Sequence, residues 1–290
     1  MNTPVATTSA IYPVRLRADL PRDVAYAYWA GPHAEIVKRL PHLVEYNQHH
    51  FSATDHGYWP ATPTVGTIVP SSWPLDGLTE VRLPSMAAAF RVPLHMREVF
   101  LDEQNVFEHV LGHQTGPRGG RWWTTGHDDT VGHRTALLVR RRRGVSGRAF
   151  RAFVHSRLGP ALHASGARDL RTYALLPLAA MAHTTFGVSH RNPAHRRYHG
   201  AVIFGTDTRA QVEDLIAAPE VEAAVKDQHR PAQPFTRSAS TAPCPSSACA
   251  RRTNDARRHP PPHDPAGLPK DVASSQHRRS RRSRAAGLEP

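Results

Sequence analysis

Two Gly-Pro dipeptides, Gly31-Pro32 and Gly159-Pro160, lie 128 residues apart and hold the same place in two successive runs of one pattern. Such a duplication constrains the fold strongly, because each copy must be a supersecondary unit that buries its apolar face against a neighbour. The first copy opens on IYPVRLR, an alternating run that reads as a strand. Pro21 sits where a first helical turn tolerates proline, and the periodic segment VAYAYWAGPHAEIVKRL follows. Pro41 ends that helix, since proline cannot continue the hydrogen-bond ladder. LVEYNQHHF then reads as a second strand, DGLTEVRL as a third, residues 85–103 as a helix and NVFEHVLGHQ as a fourth strand.

The order then begins again. HRTALLVRR is a strand, VSGRAFRAFVHSRLGPALHASG a helix, DLRTYALLPL and YHGAVIFGT strands, and TRAQVEDLIAAPEVEAAVKDQH a helix. This predicts an α+β chain of two ferredoxin-like β-α-β-β-α-β repeats. The expected boundaries are residues 1–114 for the first domain, a glycine-rich linker at 115–132, and 133–232 for the second, which lacks its last strand. Residues 233–290 are expected to form a disordered basic tail.

The formal charge of +13 would ordinarily raise nucleic-acid binding, but its position matters more than its size. From Arg230 onward there are 12 Lys/Arg against 4 Asp/Glu, so most of the excess lies in the tail. Only Phe235 in that stretch could stack on a base, so nucleic acid is not the expected partner. No apolar run reaches the roughly 20 residues of a membrane-spanning helix, and no secretory signal opens the chain, which sets cytoplasmic location as the expectation. The arginine-, proline- and alanine-rich text of the tail is also what a shifted reading frame in GC-rich DNA would encode.

At Tyr28-Trp29-Ala30-Gly31-Pro32-His33, followed by LPHLVEYNQHHF, the sequence resembles the EthD family. That family's recurring element is a helix with an aromatic pair and a histidine, a Leu-Pro turn, and a strand with tyrosine and histidine. Trp29, His33, Leu40, Pro41, Tyr46 and His50 match it. LRTYALLP and VSHRNPAHRRYHGAVIFG are similar to a two-repeat bacterial subgroup. The resemblance covers about residues 11–230. It implies two ferredoxin-like repeats packed as a dimeric α+β barrel around a pocket. It also implies an oxidoreductase-type or cofactor-independent enzyme acting on a small hydrophobic, oxygenated molecule, in catabolism or secondary metabolism. The alternative is a non-catalytic binding or accessory protein of an oxygenase system. Two fused repeats can complete one barrel, which leaves homodimerisation open.

His33, Tyr46 and His50 are the candidate catalytic residues. The neutral-range pKa of histidine suits His33 to general acid–base work, with a purely positioning role as its rival. Tyr46 and His50 share one face of a strand and are expected to point into the barrel, while His49 faces away. Trp29, His190 and His199 are candidate substrate-binding residues. The Arg140–Arg143 run ends a strand, where it is either a solvated end or an anion-binding rim. His109 and His113, and the cluster His127, Asp128, Asp129 and His133, have metal-like spacing without fixed geometry. Cys244 and Cys249 are too few for a zinc site. No phosphate loop, dinucleotide fingerprint or flavin motif appears, so neither a cofactor nor a metal is expected.

Overall fold

The computed structural model describes residues 4–67, 73–124, 126–177, 185–194, 197–232, 237–242 and 250–251. They fall within one compact unit, Met1–Asn254. The first repeat runs β1 (Val5–Leu16), α1 (Arg22–Tyr28), α2 (Ala34–Lys38), β2 (Glu45–His56), β3 (Gly77–Leu83), α3 (Met86–Arg91), α4 (Arg97–Glu103), β4 (Phe107–Val110) and β5 (His113–Trp122). The second runs β6 (His133–Val139), α5 (Gly147–Ala152), α6 (Gly159–Ala164), β7 (Arg168–Leu175), β8 (Gly200–Thr206), α7 (Arg209–Ala217), α8 (Pro219–Asp227) and β9 (Arg237–Ala242), followed by the short β10 (Ala250–Arg251).

The matched Gly-Pro dipeptides mark one device used twice. A π-helical turn, Trp29–His33, joins α1 to α2, and another, Phe153–Leu158, joins α5 to α6. Proline brings no backbone N–H to the ladder, and a wider turn accommodates the missing bond without ending the helix. His33 closes the first of these turns.

Each repeat has its strands in ferredoxin-like order, β5-β1-β3-β2 and β9-β6-β8-β7. The last strand of each repeat pairs with the second strand of the other: β5 with β7, and β9 with β2. The ring of antiparallel strands is thereby closed, and the fold is a dimeric α+β barrel formed within a single chain. Closure removes the unpaired edges at which sheets aggregate.

Two expectations of domain layout need correction. Residues 115–132 are not simply a linker, because most of β5 lies there. Its glycines are packing residues: a Cβ on Gly120 would lie 2.2 Å from Thr7 Oγ1 and 3.2 Å from the Tyr173 ring. Nor is the second repeat without its last strand, since Arg237–Ala242 pairs with β6 from Arg134↔Thr241 to Leu138↔Arg237. That strand, RSASTA, has no large apolar side chain, so hydrophobic alternation could not announce it. Within the expected disordered tail, Ala250–Arg251 also forms a strand, β10, paired with β2 at Ala250↔Tyr46 and Arg251↔Glu45, and the rest of that segment lies outside the described residues.

Alternation on β2 sends Glu45, Asn47, His49 and Phe51 into the barrel, and Tyr46, Gln48 and His50 toward the helices. The expected inward face of this strand was the opposite one. Tyr46 packs with Ala34, Val37 and Val81 under the helical layer. His49 instead meets Glu80 inside the barrel, Nε2 to Oε2 at 3.3 Å. There, Glu45, Glu80 and Asp169 are balanced against Arg82, Arg134 and Arg171. Arg171 is fully buried, paired to Glu80 and, at 2.7 Å, to Asp169 Oδ1. Tyr173 donates to Glu80, and Asn47 donates to both Glu45 and Glu80 at 3.1 and 3.0 Å. The guanidinium groups of Arg82 and Arg171 stack over the Trp122 ring, 4.8 and 4.4 Å from its centre. The rest of the interior is apolar, with Ile11, Leu78, Ala136, Leu138 and Ile203 in contact.

Replacing Arg171 by Leu strands Glu80 and Asp169 as buried charges without their partner. The expected loss is about 3–5 kcal/mol of unfolding free energy, as when one member of a buried pair is removed. Adding Glu80→Gln to Arg171→Leu should recover part of it. Urea denaturation of the single and double variants measures both.

Candidate functional site

A cavity of about 50 Å3 lies between the first repeat's sheet and its helices. Its apolar wall includes Val37, Leu43, Val81, Met96 and Phe107, and its polar lining comprises Tyr12, His33, Tyr46, Thr79 and Glu103. β1, β2 and β3 supply Tyr12, Tyr46 and Thr79. The end of the π turn places His33, and the last residue of α4 is Glu103.

His33 is held by a carboxylate. Its Nδ1 lies 2.8 Å from Asp102 Oδ2, and both residues are buried. The other oxygen of Asp102 accepts from the Tyr28 hydroxyl at 2.6 Å and from Asn105 Nδ2 at 3.0 Å. Burial opposes ionisation of Asp102, but the hydrogen bonds from His33, Tyr28 and Asn105 outweigh it and keep its pKa below the ordinary value. An ionised carboxylate only accepts, so Nδ1 of His33 carries the proton and Nε2 is left as the nitrogen that can act on a ligand. The edge of Phe107 packs against the imidazole at 5.3 Å and restricts its rotation.

Glu103 is the opposite kind of carboxyl. Burial, and secondarily the charge of Asp102, push its pKa up to about 8, against a smaller opposing effect of Thr185. His190 Nε2 lies 3.3 Å from Glu103 Oε2, and His190 Nδ1 lies 3.1 Å from the Val110 carbonyl. A carbonyl only accepts, so Nδ1 donates and a neutral His190 presents Nε2 as an acceptor. Burial lowers the pKa of His190 and raises that of Glu103, so both partners favour their uncharged forms and the contact is not an ion pair; the Thr185 hydroxyl lies 3.4 Å from each. Burial, helped by Glu103, also raises the Tyr12 hydroxyl to about 12.

The six candidates separate. His33 and Tyr46 line the cavity, and His190 reaches it through Glu103. His50 does not face the barrel interior. It stacks on Tyr26 and Trp29 at 4.5 Å each, its Nε2 is 3.0 Å from Gln48 Oε1, and burial lowers its pKa to about 4. Trp29 is fully buried against that stack and against Gly77, where a Cβ would lie 2.5 Å from the indole. His199 belongs to a separate cleft in the second repeat. Asp102, Glu103 and Tyr12 escaped the sequence reading. Asp102 and Glu103 look like ordinary helix-end acids, and no local pattern reveals that α4 turns one toward His33 and the other toward the cavity. His127, part of the metal-like cluster, packs 6.5 Å from His49 in the barrel interior. Among the described residues no group of three His, Cys, Asp or Glu side chains gathers to hold a metal.

No protein-family model matches the chain, and no curated protein matches it. Among solved structures, an anthrone oxidase-like protein superposes with a TM-score of 0.52 at 8% identity, covering 82% of this chain and 91% of that one. A Fusobacterium nucleatum protein provisionally assigned as a monooxygenase superposes at 0.51 and 6% identity, covering 83% and 93%. Both likenesses concern the fold. No helix among the described residues is long and apolar enough to cross a membrane.

The raised pKa of Glu103 makes stability depend on pH. The folded state holds this proton more tightly than the unfolded chain, whose carboxyl has the ordinary value of 4.5. The stabilising contribution is therefore complete below 4.5 and is lost as pH rises toward about 8. Urea denaturation on either side of that window should show wild type losing more stability with rising pH than Glu103→Gln does.

Proposed function

We propose that the first repeat forms the active site of an oxidoreductase-type or cofactor-independent enzyme of the EthD kind. Its substrate is a small, largely apolar molecule with a phenolic or enolic oxygen. The observation that carries this reading is the pairing of His33, at the wall of a largely apolar cavity, with Asp102. Nε2 of His33 removes a proton from the substrate, and Asp102 holds the ring in the required tautomer and offsets the imidazolium charge that forms. The substrate is left as an anion. Tyr12 keeps its hydroxyl proton and supplies a donor to that anion. Glu103, held neutral, adds no negative charge to oppose it. The names of the two structural neighbours agree with an oxidative use of such an anion. The same proposal locates the protein in the cytoplasm. The barrel closes within one chain, so homodimerisation is not required to complete it.

Anthrone, whose methylene is acidified by its carbonyl, is a probe that tests this chemistry, with the cavity of about 50 Å3 having to widen to admit it. Wild type should catalyse exchange of the methylene hydrogens into D2O and oxygen uptake, and His33→Ala should lose about 10²–10⁴-fold of the exchange rate while still binding the probe. Asp102→Asn should fall between the two. Wild-type binding without exchange would favour the binding-protein alternative, and exchange untouched by His33→Ala would remove His33 from the chemistry.

A further inference from the structure

The second repeat carries a cleft of its own, with a volume of about 330 Å3. Phe150, Ala174, Leu175, Leu176 and Pro177 form its floor, and Arg141, Arg148, Arg151 and His199 stand around it. We propose that this cleft binds a carboxylate carrying an apolar body, with the guanidinium groups on the anionic head and the floor under the hydrocarbon.

Around one apolar floor the cleft gathers arginines that lack an acidic partner among the described residues. Arg134, Arg168, Arg171 and Arg209 each meet an acidic side chain. Arg141, Arg148 and Arg151 meet none among the described residues, and no Asp or Glu lines the cleft. Three arginines around one concavity with no acidic side chain in its lining leave positive charge there that an anion would balance. Arginine suits the task because its planar fork can grip both carboxylate oxygens.

His199 adds direction. Its Nδ1 accepts from the Arg141 backbone N–H at 3.2 Å, so the ring proton sits on Nε2 and the second nitrogen is a donor. Burial, followed by the charges of Arg141, Arg140 and Arg197, lowers its pKa to about 4, which keeps the ring neutral. A Cβ on Gly147, at the cleft wall, would meet Arg141 Nη1 at 3.2 Å. The apolar floor rules out a bare inorganic anion as the best occupant, and the cationic rim rules out a neutral lipid. Within the Arg140–Arg143 run the four side chains diverge: Arg140 is buried, Arg141 lines the cleft, Arg142 donates to the His229 carbonyl at 2.9 Å, and Arg143 is exposed.

Calorimetric titration of the full chain at low ionic strength tests the assignment, with octanoate, 1-octanol and acetate as probes. Octanoate should bind about tenfold or more tightly than either of the others, and its affinity should fall as salt is added. Arg148→Glu with Arg151→Glu should abolish that binding. Both positions are exposed, so the variant should keep the wild-type denaturation midpoint. His33→Ala, in the other cavity, should bind octanoate like wild type. The proposal is overturned if octanoate fails to bind, if octanol or acetate binds equally well, or if the double charge reversal leaves the affinity unchanged. Loss of octanoate binding in His33→Ala alone would move the ligand to the first cavity and overturn it equally.

Discussion

The buried contact between Glu80 on β3 and Arg171 on β7 conditions everything else in this molecule. It joins the two repeats across the inside of the barrel, with both side chains inaccessible to solvent. Burial alone would neutralise Glu80, yet Arg171 and the hydrogen bonds from His49 and Tyr173 hold its pKa far below the ordinary carboxylate range. Arg171 in turn remains firmly protonated against its own desolvation, because Glu80 and Asp169 flank it. Two charges removed from water are tolerable only when geometry and further hydrogen bonds compensate both. Here three carboxylates face three guanidinium groups, and His49 and His127 are kept neutral by burial. A half-barrel taken alone would carry unbalanced charge on its inner face, so neither repeat is a comfortable fold without the other.

A filled interior decides where chemistry can occur. Ionic side chains and the Ile11–Leu138–Ile203 cluster pack the space between the sheets. The cavity with candidate catalytic groups lies instead on the outer face of the first sheet, under its helices. This also accounts for the misread face of β2. Glu45, Asn47 and His49 form the more polar face, and a polar face of a strand ordinarily meets water. In a closed barrel whose halves neutralise each other, it is the polar face that turns inward and Tyr46 that packs beneath helices.

The duplicated architecture was legible because it depends on local signals: alternation, proline stops, and the matched Gly-Pro dipeptides that both fall at π turns. His33 was legible for the same reason, as part of a short helical motif. What could not be read were partners distant along the chain. Asp102 is 69 residues from His33, Glu80 is 91 from Arg171, and His190 is 80 from Val110. Sheet register across the barrel brings Glu80 to Arg171, and packing of α4 against the π turn brings Asp102 to His33. β9 was missed on different grounds, since a strand that completes a barrel through its backbone needs no apolar pattern of its own.

The two repeats place different side chains on one scaffold. Offsetting the chain by the Gly-Pro spacing lays His33 on Ala161, so the second repeat has no counterpart of the His–Asp pair. The histidine of its π turn, His155, holds Thr172 Oγ1 at 2.7 Å instead, and burial followed by the charges of Arg121 and Arg151 lowers its pKa to about 4. An imidazole so disfavoured as a cation is a poor base at neutral pH, whereas His33 has a carboxylate to support a positive charge. The same cationic surroundings that disable His155 continue into the arginine-lined cleft near Phe150. Duplication in one barrel therefore allows a division: proton chemistry needs an anionic support beside its histidine, anion binding needs unpaired cations, and a single site cannot satisfy both.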